Sequence, residues 1–433
     1  MNPVIQKNKA LEIVRAARVD RARAAALVLE LIAEIAPEFG VTSAVLYDSK
    51  LSLNSVNGRL DAGDKKYFFK FHAEENETEN LADAEYYGAN LLADSGVPVL
   101  KPLFTSRRPG EQFVVYEYVE AQTAFEAYGT QEARRLSGTS YEEDRLGELL
   151  RMELQLCRTI AASFLKSLEL SARATMESAA IQQLFYKRLV GTPRHPSRFE
   201  TYYRGKQIAL PDGRTIPFDD LARMRWEING VFYEEGLEAI VANAKKLLDP
   251  AKEERTPSVI GHGDDHNGNR FIIDGKFTLF DVAFAGRQPA LLSFVKATAH
   301  NVFAHPLWLY DPKQMEGRLK LDVTMRGETI IVNHNWDTEA LSPLRVTILD
   351  LYAKEVWRPL VVELSERGWL SRDWQEYLRK ALFCCPFLVL SLIDSNRFSP
   401  QSSVLALSKS VELGTRGNSF LEYFFNSIKP AKV

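Results

Sequence analysis

Cysteine is scarce in this chain: three residues, Cys157, Cys384 and Cys385, among 433. Three thiols cannot build a disulfide framework, so a fold stapled for secretion is excluded and a reducing compartment is expected. Long apolar runs are lacking too. The stretch AAALVLELIAEIA is broken by Glu30 and Glu34, and LFCCPFLVLSLI is interrupted by Pro386. A bilayer span needs ~20 apolar residues, so both read as core elements. The first twenty residues hold no apolar h-region, and their arginines interleave with Glu12 and Asp20. Neither a secretory signal nor an acid-poor transit peptide is expected. Charge of one sign is not in excess either. The net charge is −3 with no long basic run, which weighs against a nucleic-acid partner. No internal repeat or low-complexity segment appears. The expectation is a cytoplasmic globular protein without membrane or nucleic-acid contacts.

What is present is an ordinary globular mixture, 45% hydrophobic and 26% charged, long enough to bury a sizeable core. Residues from about Asn8 to Ala36 carry helical apolar spacing. The texture then changes. SAVLYDSKLSLNSVNGRL and KKYFFKFHAEE alternate and are rich in β-branched and aromatic residues, with turn signals NSVNG and DAGD, and read as antiparallel strands. TENLADAEYYGANLLADSG carries one helical stripe (Leu81, Ala84, Tyr87, Leu91, Leu92) closed by Gly96. VPVLKPLFTS and EQFVVYEYVEA read as two more strands around RRPGE. The spacing predicts a long helical stretch from about Glu143 to Leu189. Hairpins are predicted at KQIALPDGRTIPF and GRLKLDVTMRGETIIVNHNW, and helices from Ser342 onward. Three regions result: a helical extension at 1–40, a small mixed lobe at 41–120, and a helix-rich lobe at 121–433 with insertions. A thin linker lies near Glu120 to Gln122.

One stretch concentrates chemistry: SVIGHGDDHNGNRF, from Ser258. The segments TPSVIGHGD and NRFIIDGKFTLFDVAF read as short strands with a tight DGK turn, so HGDDHNGN is a loop between them. Gly263 and Gly268 permit turns there. Such a loop gathers carboxylate and amide oxygens, and hard oxygen ligands suit Mg²⁺. A third carboxylate, Asp281, follows the apolar run of TLFDVAF and falls at a strand end. The excursion from Asn269 to Asp281 would bring the two ends together.

On these residues the chain resembles the phosphotransferase family of aminoglycoside and choline kinases, itself similar in fold to protein kinases. That family carries H-G-D-x-H-x-x-N, matched by His262, Gly263, Asp264, His266 and Asn269. In kinases the catalytic-loop Asp and the metal-binding Asn are five apart. Asp264 and Asn269 have that separation and Asp265 does not. The resemblance implies that Asp264 positions an acceptor hydroxyl and accepts its proton, and that Asn269 and Asp281 hold Mg²⁺. It implies a structural role for His262, with Asp265, His266 and Asn267 as turn or supporting residues. Replacement of Asp265 by Asn is then expected to be nearly silent. In the front lobe, Lys70 in YFFKFH matches the lysine that pairs with nucleotide phosphates, and Glu85 the glutamate that orients it. VVYEYV resembles the hinge strand, so the Glu117 carbonyl and Val119 N–H would receive adenine. The matches run from about Val41 to Gly286.

The implied fold is α+β, protein kinase-like and two-lobed, with a small antiparallel-sheet N-lobe and a larger helix-rich C-lobe. The implied activity is an ATP-dependent small-molecule kinase phosphorylating a hydroxyl of a sugar, amino alcohol or aminoglycoside-type acceptor. The length between hinge and loop, and the absence of an APE pattern after Asp281, favour a small-molecule acceptor over a protein. Tyr202, Tyr203 and Trp336, with Asp219 and Asp220, are candidates for its pocket. The chain departs from the pattern in three ways. It has no G-x-G-x-x-G, so LSLNSVNG serves as the phosphate flap, with Ser52, Asn54 and Ser55 as donors. DVAFAG replaces DFG. RQPALLSF replaces the family's DPAxD, so the loop's anchoring would differ. Two alternatives remain open: a catalytically silent kinase-like binding module, and a metal-dependent hydrolase in which His262 and His266, four apart, share a zinc ion.

Overall fold

The computed structural model describes residues 9–17, 19–47, 55–72, 81–106, 111, 113–192, 196–304, 306–315, 317–336 and 342–430, with the side chains of 55, 71–72, 81–87 and 306 outside the description. The front lobe is a five-stranded antiparallel sheet in the order β1-β2-β3-β5-β4. Its strands are β1 (Ser43–Leu46), β2 (Ser55–Ala62), β3 (Lys65–His72), β4 (Phe104–Thr105) and β5 (Val114–Glu117). Alternation along the strands divides its faces. Leu60, Phe69, Phe113 and Val115 form one apolar face, covered by Ile13 of α1 (Lys9–Ala17) and by Val28, Leu31 and Ile32 of α2 (Arg21–Ile35). The opposite face carries Phe68, Val114 and Tyr116, with Leu100 packed on it; Lys70 lies in phase with Phe68.

Two local expectations are corrected in this lobe. Asn8 to Ala36 is two helices, because Asp20 caps the second by accepting a hydrogen bond from Arg23 N at 3.0 Å. The NSVNG turn lies partly inside β2, where Asn57 opposes Lys70 and Gly58 opposes both Leu46 and Phe69. Pairing on both edges of β2 outweighs local turn propensity.

The two-lobed α+β architecture is the one expected. The back lobe is mostly helical around one core, which takes in Ile160 and Phe164 of α5 (Glu143–Ser167) and Trp226, Trp336, Tyr352 and Trp357. Helix α5 ends far short of Leu189. After Ser167 the chain becomes β6 (Glu169–Ala172), which pairs with β11 (Arg255–Gly261), itself paired with β14 (Gly286–Pro289). Ser167 Oγ donates to Ser163 O at 2.7 Å and accepts from Ile260 N at 2.9 Å, so it closes the helix and starts the sheet contact. Both predicted hairpins form, β7 (Gln207–Ala209) with β8 (Thr215–Pro217) and β15 (Leu321–Arg326) with β16 (Thr329–His334). The second joins a mixed sheet by parallel pairing of β16 with β9 (Arg225–Ile228), which also pairs with β10 (Val231–Tyr233). Sequence spacing does not reveal that long-range pairing.

The hairpin β12 (Arg270–Ile273) and β13 (Lys276–Leu279) is held at the junction of the lobes. Ile272 N donates to Gln122 O at 2.9 Å on one side. On the other, Leu100 N donates to Leu279 O at 2.8 Å and Leu279 N to Pro98 O at 2.9 Å. One strand of this hairpin therefore lies against the linker and the other against the segment that precedes β4. Among the described residues no helix is long and apolar enough to cross a membrane.

Candidate functional site

The loop between β11 and β12 begins with Gly263 at φ +81°. A side chain there would strike Phe284 O and Gln288 Oε1, both 2.9 Å from a Cβ, so the backbone turn needs glycine. His262 is 4% exposed. Its Nε2 lies 2.9 Å from Phe280 O, and its Nδ1 is 3.3 Å from Asp264 N. One tautomer satisfies both, with Nδ1 accepting and Nε2–H donating. This is the structural role expected of it. It leaves no lone pair for zinc, and His266 Nδ1 likewise accepts from Gly268 N at 3.1 Å. No group of three or more His, Cys, Asp or Glu among the described residues is arranged to hold a metal. With both ring nitrogens of His262 engaged, the loop lends no support to the hydrolase alternative.

Backbone bonds tie the loop to the strand end. Asn269 Nδ2 donates to Asp264 O at 2.9 Å, Asn269 N to His266 O at 2.7 Å, and Phe280 N to Asn269 O at 3.1 Å. Asp264, Asn269 and Asp281 thus share one small frame. Asp281 takes a left-handed backbone, φ +60°, a conformation that Asp tolerates better than most residues. From the front lobe, Lys70, 4% exposed, pairs with Asp281 Oδ1 across 211 residues of sequence. The one cross-lobe contact that the two motif segments needed is present.

The other front-lobe calls stand as follows. Tyr118 N donates to Lys66 O at 3.3 Å, so the peptide groups of Glu117 face the opposite edge of β5. Leu103 N bonds Val115 O on that edge, and Glu117 and Val119 lie beyond it toward the linker. Glu85 lies on α3 (Leu81–Asp94), with its side chain outside the described residues. Ser52 and Asn54 also lie outside them, and Ser55 opens β2 with its side chain outside them. Helix α3 comes close to the segment after Asp281, for a Cβ on Gly88 would meet Val282 O and Ala285 Cβ at 2.9 Å. Of the helix stripe, Leu92 is 1% exposed and Leu91 points out at 41%.

The largest surprise is Arg270, the residue after Asn269 and fully buried. Its Nε and Nη2 grip Asp265 at 2.5 and 2.8 Å, and its Nη1 reaches Glu153 Oε1 at 2.6 Å. Glu153 accepts from Tyr128 OH at 2.9 Å and Tyr352 OH at 2.8 Å. Tyr352 OH accepts from Asn301 Nδ2 at 3.0 Å, and Asn301 Oδ1 holds Asn267 N at 2.7 Å. Burial alone would lower the Arg270 pKa, but Asp265 and Glu153 reverse that and raise it well above its ordinary value. This network anchors the loop from beneath. Gln288, in the replacing segment, is buried with both side-chain polar atoms unpartnered. Asp265 therefore does support the loop, and its replacement should cost stability, since a buried arginine would lose a partner. The sequence held half of the signal, an Asp and an Arg five apart. Glu153 is 117 residues away and left none.

A second group missed from sequence surrounds Asp264. Lys296, 4% exposed, lies with its Nζ 3.4 Å from Asp264 Oδ1 and 3.0 Å from His300 Nε2. His300 Nδ1 is 2.6 Å from Tyr310 OH. Since Nε2 faces an ammonium, it accepts, and Nδ1–H donates to the phenol oxygen. Burial, followed by Lys296, His266 and Arg188, pushes His300 well below its ordinary pKa. Burial would raise the Asp264 pKa, but Lys296, His266, His262 and Arg188 together hold it at about 2. Burial also lowers that of His266. Lys296 leads into a π-helical turn, Ala299–Phe303, that carries His300 and Asn301.

The acceptor-pocket candidates are not drawn to this point. Tyr203 and Trp336 are core residues, 0% and 1% exposed; Tyr203 stacks between Phe218 and Phe387 and bonds Phe387 O at 2.8 Å. Tyr202 lies under Arg198. Asp219 pairs with Arg204 at 3.0 Å, and Asp220 with Arg223 at 2.6 Å in an exposed i,i+3 pair.

No family model matches the chain, and no curated protein matches it. Several solved structures resemble it loosely. An amicoumacin kinase, determined with AMP-PNP, Ca²⁺ and its substrate, has 14% identity, covers 93% of this chain and 95% of its own, and has a TM-score of 0.47. A spectinomycin phosphotransferase with ADP and spectinomycin has 13% identity, 89% and 98% coverage, and a TM-score of 0.36. A glucosamine kinase has 13% identity, 88% and 81% coverage, and a TM-score of 0.41. All three are small-molecule phosphotransferases. Likeness this loose carries no residue role or substrate across, so the chemistry must rest on the site.

Proposed function

We propose that the chain is an ATP-dependent small-molecule kinase that transfers the γ-phosphoryl group to a hydroxyl of an acceptor such as a sugar or amino alcohol. One observation carries the reading: Asp264, Asn269 and Asp281 share a hydrogen-bonded frame that Lys70 reaches from the opposite lobe. Phosphoryl transfer asks the protein mainly for positioning and charge neutralisation, and these residue types supply both. Asp264 orients the acceptor hydroxyl toward the γ-phosphorus and takes its proton. Lys70 leaves its pairing with Asp281 for the nucleotide phosphates, with Glu85 as its orienting partner. Ser52, Asn54 and Ser55 contribute donors from the flap. The Glu117 carbonyl and Val119 N–H receive adenine at the edge of β5 left open beyond β4.

Asn269 and Asp281 would hold Mg²⁺. An amide oxygen and a single carboxylate fit that ion, which takes few protein ligands where phosphates and water complete its shell. When bound, it would supply positive charge to offset that of the nucleotide phosphates. The acceptor hydroxyl's bond to phosphorus forms as the γ-phosphorus separates from the bridging oxygen of ADP. The test is ADP release by the full chain with ATP, Mg²⁺ and a panel of hydroxyl acceptors, beside the Asp264→Asn variant. Acceptor-dependent release lost in the variant is expected. Failure to bind an ATP analogue, or unaltered release by the variant, would overturn the reading.

A further inference from the structure

The backbone of Asp264 is fixed on both sides. Its N–H reaches His262 Nδ1 at 3.3 Å, and its carbonyl accepts from Asn269 Nδ2 at 2.9 Å. The carboxylate is held differently. Its Oδ1 is buried without a hydrogen-bond partner. The Lys296 ammonium pairs with it at 3.4 Å, the two side chains being 5% and 16% exposed. A charge-assisted hydrogen bond between such groups spans ~2.7–2.9 Å. At 3.4 Å the ammonium attracts the carboxylate by charge, little screened by water, and leaves the oxygen's lone pairs to another donor.

The ammonium is itself held in place. Its Nζ meets His300 Nε2 at 3.0 Å, and His300 Nδ1 lies 2.6 Å from Tyr310 OH. Tyr310 stands edge-on to Phe125, ring centroids 5.8 Å apart, at the start of α4 (Ala124–Leu136). The π-helical turn that carries His300 is closed by Arg345, whose Nη1 donates to the carbonyls of Asn301, Val302 and Ala304 at 3.1, 3.2 and 3.3 Å. Compared with two apolar side chains, a buried ion pair is a poor stabiliser. The placing of Lys296 therefore matters chiefly for the carboxylate.

We infer that Lys296 is a positioning residue for phosphoryl transfer: its ammonium, anchored through His300, fixes the Asp264 carboxylate in the orientation that an acceptor hydroxyl meets, without occupying the oxygen that the hydroxyl needs. This rests on the kinase reading above and adds a residue to its machinery. A loose transition state asks for placement more than for base strength, and a carboxylate steered by a fixed ammonium is already placed when the acceptor arrives. The hydroxyl donates to Asp264 Oδ1. Its oxygen bonds to the γ-phosphorus as the bond from phosphorus to the bridging oxygen of ADP breaks, and its proton passes to the carboxylate. Lys296 acts through Asp264 alone and keeps its own proton throughout.

ADP release by the full chain from ATP and Mg²⁺ tests this, with water, glucose, glucosamine and choline as acceptors. Rates are counted per AMP-PNP binding site, so that misfolded protein does not register. Lys296→Met should lower kcat roughly tenfold or more, the scale of one contact between charges, with KM for ATP unchanged. In an Asp264→Asn background the same substitution should change kcat by less than about twofold, because no carboxylate remains to orient; a merely structural lysine would cost as much there as in the parent. Where Lys296→Met binds no AMP-PNP, His300→Leu, which removes the anchor and leaves the pair, takes its place in the same cycle, with an expected loss of about threefold. Unchanged kcat beside an impaired Asp264→Asn, a rise in KM for ATP alone, or losses that multiply in the double variant overturn the inference and leave the kinase reading standing. No release by the parent with any of the four acceptors, or parent-like release by Asp264→Asn, sinks both.

Discussion

The two sides of the cleft are built differently. On the back-lobe side, the loop of Asp264 and Asn269 rests on a buried web of Arg270, Asp265, Glu153, Tyr352, Tyr128 and Asn301. Every charge in it is paired at short range away from water. On the front-lobe side, Lys70 pairs with Asp281, whose side chain is 24% exposed. The first arrangement costs much to disturb and keeps the loop rigid before any ligand arrives. The second is easily exchanged for phosphate oxygens. A site that must bind, react and release is served by a fixed wall opposite an exchangeable one.

The sharpest way to break this contrast is to cut the web. Arg270→Leu or Asp265→Asn should cost ~3–5 kcal/mol, the usual penalty for stranding a buried charge, read by denaturant unfolding. Unchanged stability in Asp265→Asn would remove the fixed wall from the account. Asp264→Asn comes next. It should lower acceptor-dependent turnover by ~10²-fold or more; because it also removes the carboxylate beside buried Lys296, melting temperature should fall too, and turnover is read well below the variant's own transition. Gly88→Ala should cost about 1–3 kcal/mol by forcing α3 off the segment after Asp281, and should weaken nucleotide binding in parallel. Lys70→Met should cost less stability than cutting the web, because solvent reaches Asp281, while AMP-PNP binding falls; a loss of stability as large as that of Arg270→Leu would mean that the front wall is as rigid as the back.

The smallest effect expected concerns acid. The Asp264 carboxyl is held at about 2 against an ordinary 3.8. A depressed folded-state pKa stabilises the fold above the unfolded value and is lost as pH falls through the folded one. Its contribution should therefore persist down to about pH 4 and fade only toward 2. Of the groups acting on it, Lys296, His266, His262 and Arg188, the first is the strongest. In Lys296→Met, burial acts with less opposition and the loss should begin at higher pH. Unfolding measured from pH 2 to 5 for both proteins checks this, and coincident curves would deny Lys296 its hold on the carboxylate.

Much of the candidate site was legible because its parts are local in sequence. The loop His262 to Asn269 and the strand end at Asp281 lie within one hairpin's length, and β-hairpin geometry returns the chain to its start. Lys70 was legible only through the resemblance, for alternation by itself puts it on the opposite sheet face from Phe69 and says nothing of a partner. The NSVNG segment misled because its turn-forming composition is local, whereas its pairing with β1 and β3 is not. The end of α5 misled for the same reason: helical spacing continues past Ser167, and only β11, almost ninety residues on, draws the chain into a strand.

By itself the sequence determined the mixed α+β character, most of the front-sheet strands, the hairpin that carries the loop, and the residue types in that loop. Each follows from periodicity or turn chemistry within about thirty residues. Only the tertiary structure decided which charges meet. Arg270 finds Glu153 from 117 positions away, Lys296 finds Asp264 from a helix beyond the next strands, and Asp219 and Asp220 spend their charge on surface arginines. Coulomb and hydrogen-bond energies depend on distance and burial, and chain folding sets both.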